Sequence, residues 1–194
     1  MTWTLVGYFP KRRTAPDGTA WPGPPAPEPP HIVGSVTTCI AKGPDGWEDG
    51  GGYNYFRLYD SPTLAWSAVP AEVRPAFELF AYRLSLVRFE RGVEQLIEAW
   101  WEMPVEPLGP AFERIGWDAV VDGSASFGCS PLTCNGQTGR DGIPPVNRYC
   151  LVDTEAEGVE LARIFSLSEP EPGPYCVVEV WREAAAATTL PRTR

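Results

Sequence analysis

One residue in five is proline or glycine, 22 and 19 of 194, and this constrains the fold more than any other feature. Neither is well tolerated inside a helix or a strand, so the sequence implies short elements joined by many turns. Seven prolines fall within residues 14–30. That stretch reads as an extended, polyproline-like surface excursion, and its PxxP spacings are too loose to name a partner module.

The remaining segments carry the elements. Residues 3–9 and 32–40 have the alternation and β-branching of strands. Residues 43–52 form a turn-rich stretch whose Asp45, Glu48 and Asp49 lack the spacing of an EF-hand loop. From 61 to 101 the pattern is mainly helical: Val73, Phe77 and Phe80 fit one helix face, and Val93, Leu96, Ile97 and Trp100 another. A strand at 82–89 lies between them. Pro110 and Gly116 bracket a short helix over 111–115, followed by a strand over 117–122. After a long loop come a strand at 147–152 and a helix with Thr154 as N-cap. Glu157 completes its capping box, and Gly158, Leu161, Ala162 and Phe165 line one face. A last strand spans 175–182. No internal repeat is evident.

These elements imply an α+β fold: one domain over residues 1–183, with a mixed, mostly antiparallel sheet, helices packed mainly on one face and a C-terminal strand–helix–strand unit. Residues 184–194 read as a flexible tail.

Charge and cysteine usage exclude several functions. A net charge of −9 argues against nucleic acid and anionic membranes, which demand clustered cations; the one basic cluster is Lys11, Arg12 and Arg13. No apolar run reaches the ~18 residues of a membrane span. Five cysteines cannot all pair internally, and the N-terminal residues lack a signal-peptide pattern, so the cytoplasm is the expected compartment.

The 122–148 loop is the main functional candidate, because long irregular segments in compact domains are kept mostly for binding or catalysis. Its small residues leave backbone N–H groups unshielded. Ser124, Ser126, Asn135, Arg140, Asn147 and Arg148 are its candidate ligand-binding side chains, with the arginines suited to bidentate anion contacts. It matches neither the P-loop nor the dinucleotide-binding pattern.

Catalytic alternatives are thinner. Cys129 or Cys134 as a nucleophile needs a base, and His31 is the sole histidine, with Asp122 or Asp141 as the third member. A disulfide between Cys129 and Cys134 is a further option. A zinc site would need two more soft ligands, and Cys150 and Cys176 read as small core residues. Glu102, Glu106 and Glu113 beside Trp100, Trp101 and Trp117 have the composition of a glycosidase cleft, but the surrounding prolines suggest a loop. The expected function is therefore a small binding or accessory protein without cofactor or metal, whose loop and neighbouring aromatics meet a partner protein or small molecule. A thiol-dependent enzyme or redox protein is the alternative.

Overall fold

The computed structural model describes residues 1–12, 54, 56, 58–97, 104–122, 129–134, 137–168 and 173–184. The proline-rich stretch, the expected strand at 32–40, the acidic turn and the tail beyond 184 lie outside the described residues.

The fold is α+β, with a five-stranded antiparallel sheet. Its strands are β1 (Trp3–Arg12), β2 (Phe77–Glu90), β3 (Val93–Leu96), β4 (Phe112–Val121) and β5 (Tyr175–Glu183). The order is β1-β2-β5-β4, and β3 forms a hairpin with the far end of β2. Helices α1 (Pro62–Ser67), α2 (Pro131–Cys134) and α3 (Glu155–Ser168), with a 3-10 turn at Arg74–Ala76, complete the described elements. Both β2 and α3 run 14 residues, longer than the composition implies, because proline and glycine are concentrated between elements and β2 contains neither.

Three expected helices are corrected. The Val73-Phe77-Phe80 face belongs to the 3-10 turn and the start of β2; Val93–Leu96 is β3; residues 112–115 open β4. In β2 the cause is burial on both faces: Phe77, Leu79, Phe80, Ala81, Tyr82 and Leu84 are all buried, so hydrophobicity does not alternate and mimics a helical stripe. The expected strand at 147–152 is a tight turn whose one backbone bridge to the sheet is Val152 against Trp117 among the described residues.

Helix α3 matches its expected pattern. Glu157 Oε2 accepts from the Thr154 N–H at 2.9 Å, and Thr154 Oγ1 accepts from the Glu157 N–H at 3.2 Å, closing the capping box. Gly158, Leu161, Ala162 and Phe165 are buried, packed with Trp117, Ala119, Val121, Tyr175 and Val177 of β4 and β5.

The two halves of the sheet are built alike. β1 and β4 each carry a register shift at a glycine, Gly7 and Gly116, with φ of +142° and +148°. The next residue bridges a downstream loop: Tyr8 exchanges both backbone hydrogen bonds with Tyr59, and Trp117 does so with Val152. In the first loop, Asn54 Nδ2 donates to Val6 O at 2.8 Å and Asp60 Oδ1 at 3.0 Å, while Asn54 Oδ1 accepts from the N–H groups of Phe56 and Leu58. In the second, Asn147 makes the same four bonds to Ile115 O, Asp153 Oδ1, Tyr149 N–H and Leu151 N–H. Ser61 then caps α1 through the Leu64 N–H, as Thr154 caps α3 through that of Glu157.

The strand registers complete the match. Leu5↔Arg83 and Tyr8↔Ala81 in β1–β2 correspond to Arg114↔Trp181 and Trp117↔Glu179 in β4–β5. The central β2–β5 ladder is antiparallel, with Tyr82 opposite Val180, Ala81 opposite Trp181 and Arg83 opposite Glu179. These pairs interchange under a two-fold axis through the Tyr82–Val180 pair. The chain therefore folds the same strand–asparagine loop–helix–strand unit twice, around a pseudo-dyad.

Candidate functional site

The described part of the 122–148 loop starts from Asp122 at the end of β4. It is pinned at its root, where the Val121 N–H donates to Cys129 O at 2.9 Å. Ser124, Ser126 and Asn135 lie outside the described residues. Asn147 spends both ends of its amide on the loop node, leaving none for a ligand. Arg140 and Arg148 are exposed. Arg148 lies against Tyr149, its guanidinium carbon 4.9 Å from the ring centroid and its Nη2 donating to the phenol oxygen at 3.1 Å. The same oxygen accepts from Arg182 Nη1 at 2.6 Å, and Arg182 pairs with Glu113 and, at 3.9 Å, with Glu78.

The thiol candidates occupy different settings. Cys129 is half-buried against the α3 cluster, Cys134 ends α2, and His31 lies outside the described residues. Cys150 occupies a left-handed turn with φ of 57°; burial, then the charge of Asp118, pushes its thiol pKa up. Cys176 is a core residue as expected, fully buried, its thiol pushed well up by burial and by Asp122. Burial also raises the Asp122 carboxyl, against the opposing pull of Arg88 and the Cys176 hydrogen bond. Neither Cys150 nor Cys176 has the cationic setting that makes a reactive thiolate. Among the described residues no group of three or more His, Cys, Asp and Glu is placed to hold a metal, and no helix is long and apolar enough to cross a membrane.

The buried phenols make the fold sensitive to alkali. Tyr8 is pushed up to about 12 by burial and by Glu106, Tyr82 well up by burial, and Tyr149 up by burial against the pull of Arg182 and Arg148. A group with a raised folded-state pKa contributes stability that is present below its unfolded pKa and lost as pH rises toward the folded value. Stability should accordingly fall as pH passes about 10, the unfolded tyrosine value. Urea unfolding compared at about pH 8 and about pH 10.5 checks this, with phenolate absorbance expected to rise together with unfolding for the buried tyrosines.

A second group of side chains, which sequence reasoning missed, crosses the middle of the sheet. Glu179 on β5 is only 3 % exposed and sits between two guanidiniums: Arg83 Nη1 is 2.7 Å from Oε2, and Arg114 Nη1 is 3.4 Å from Oε1. The guanidinium carbon of Arg114 lies 4.4 Å from the Trp117 ring centroid and 5.9 Å from that of Trp181. Both indole N–H groups are buried without a hydrogen-bond partner among the described residues. Arg83 and Arg114 remain 31 % and 49 % exposed, so the set opens to solvent. The available signal was the carboxylate itself, since Glu179 interrupts a run of valines and a buried charge is rarely kept without a partner.

Comparison with family models, with curated proteins and with solved structures gives no match.

Proposed function

We propose that this is a small non-catalytic binding or accessory protein, which meets an anionic partner, protein or small ligand, through the 122–148 loop and the adjacent Tyr149. The observation that supports the reading is the pair Arg140 and Arg148: both are exposed, and neither has a carboxylate within ion-pair distance among the described residues. In a chain of net charge −9, exposed guanidiniums without a carboxylate partner among the described residues are suited to carboxylates or phosphates. Arg148 stacked on Tyr149 has the arginine–aromatic chemistry enriched at interfaces. The reading takes residues 1–183 as one cytoplasmic domain, with helices packed mainly on one face of the sheet.

The test is affinity capture from an extract of the source cells, using the wild-type protein and the Arg140→Ala/Arg148→Ala variant side by side, with mass spectrometry of what each retains. At least one acidic species should be retained by the wild type and weakened about tenfold or more in the variant, with thermal unfolding unchanged. Identical retained sets would overturn the proposal.

A further inference from the structure

We infer that Arg83, Arg114, Trp117 and Trp181, arranged around Glu179, form a second recognition site, for a carboxylate on an acidic segment of a partner protein. The site lies on the sheet and is distinct from the 122–148 loop.

The pseudo-dyad supplies an internal control. The positions held by Arg114, Trp117 and Glu179 in the second half are held by Leu5, Tyr8 and Ala81 in the first, at the same register. Those three positions carry no charge there, and Trp181 has Arg83 as its counterpart: Tyr8 and Ala81 are fully buried, Leu5 packs against the core, and the Tyr8 hydroxyl donates to Glu106 O at 2.8 Å. The fold therefore does not require a carboxylate and a guanidinium at these positions. Burying Glu179 carries a desolvation cost that a well-packed apolar residue avoids, so the Glu179–Arg114 pair, which has an uncharged counterpart in the first half, points to a use other than stability.

The chemistry of the set specifies what it takes. Each guanidinium has five N–H donors, and the contacts to Glu179 engage one terminal nitrogen of each. The two indole N–H groups also lack partners among the described residues but are buried, so the accessible donors are those of the arginines, while the one carboxylate already receives both. The site is rich in donors, short of free acceptors and carries two positive charges against one negative. Glu179 and the Trp117 and Trp181 rings hold the Arg114 guanidinium in place, which lowers the entropy cost of contact. The two arginines are the exposed members of the set, Trp117 being only 6 % exposed beside them, and arginine is among the residues that anchor protein interfaces. In an acidic chain, local positive charge complements an acidic segment.

The test is fluorescence anisotropy with a labelled octaglutamate peptide at about 50 mM salt, where screening is modest, with octalysine as the control. Arg114→Leu installs the side chain that the first half carries, and Arg83→Gln alters the more accessible edge in case the first variant folds poorly. The wild type should bind octaglutamate and not octalysine. Either variant should weaken binding about tenfold or more, and Arg140→Ala/Arg148→Ala should leave that Arg114-dependent component intact. Loss of this component in Arg140→Ala/Arg148→Ala would overturn the site while sparing the loop proposal. Unchanged binding by Arg114→Leu and Arg83→Gln, or equal binding of the two peptides, would overturn it as well. Displacement of the peptide by free glutarate at matching carboxylate concentration would assign the site to small carboxylates and overturn the partner segment.

Discussion

Gly7→Ala and Gly116→Ala should each destabilise the protein by about 4 kcal/mol, enough to leave many single domains largely unfolded. Two costs add at each position. The backbone φ, +142° at Gly7 and +148° at Gly116, is one that L side chains rarely adopt. A Cβ at Gly7 would also stand 2.6 Å from Leu58 Cβ and 2.9 Å from Tyr59 O; at Gly116 it would stand 2.7 Å from Val152 O and 2.8 Å from Leu151 Cβ. These neighbours are backbone and the first carbon of a side chain, so relief requires moving the asparagine loop off the strand. At Gly109 nothing lies within 4 Å, and Gly109→Ala should stay within about 0.5 kcal/mol of wild type. Urea unfolding of the three variants measures the contrast.

Asn54→Ala and Asn147→Ala should each cost about 3 kcal/mol, and the two costs should agree within about 1 kcal/mol, because each side chain makes the same four hydrogen bonds. Removing either amide strands two loop N–H groups and one strand carbonyl, and it unties the aspartate that precedes the helix cap. Aspartate separates the contributions. It keeps the acceptor for both loop N–H groups but loses the donor, and it sets one carboxylate against another across the 3.0 Å now spanned to Asp60 or Asp153. Asn54→Asp and Asn147→Asp should therefore be nearly as damaging as alanine at neutral pH and recover part of the loss as pH falls through the carboxylate range, about 4. Equilibrium unfolding at about pH 7 and about pH 4.5 reads both effects.

The sequence disclosed those parts of the fold that depend on local chemistry. The Thr154–Glu157 capping box and the apolar stripe of α3 were legible because both operate within a few residues. The strands β1, β4 and β5 were legible in outline. β2 and β3 were not fully so, since burial on both sheet faces erases the alternation that marks a strand, and tertiary pairing decides the outcome. The repeated unit was hidden for a different reason. Asn54, Leu58, Asp60 and Ser61 recur at the same spacing as Asn147, Leu151, Asp153 and Thr154, but these are few positions of common residue types, and Gly7 and Gly116 stand 47 and 31 positions before their asparagines. The connections between them differ in length in the two halves, so no fixed period appears along the chain.

The candidate sites divide in the same way. Exposure of Arg140 and Arg148 follows from a polar loop, and the sequence conveyed it. The role of Asn147 does not follow, because a loop asparagine that could meet a ligand is spent on four internal bonds that only the folded backbone supplies. The Arg83–Glu179–Arg114 set draws on three strands that are remote in sequence and become adjacent through the β2–β5 and β4–β5 ladders. Glu179 alone, among valines, hinted at it.

One unit is folded twice in this chain, each copy locked by a strand-to-loop bridge next to a glycine. Amide hydrogen exchange at Tyr8, Tyr59, Trp117 and Val152 tests it most directly, since these four N–H groups form the two bridges. All four should be protected to a similar degree, close to the amides of the β2–β5 ladder. Protection of one bridge while the other exchanges at the rate of an open chain would contradict a unit folded twice.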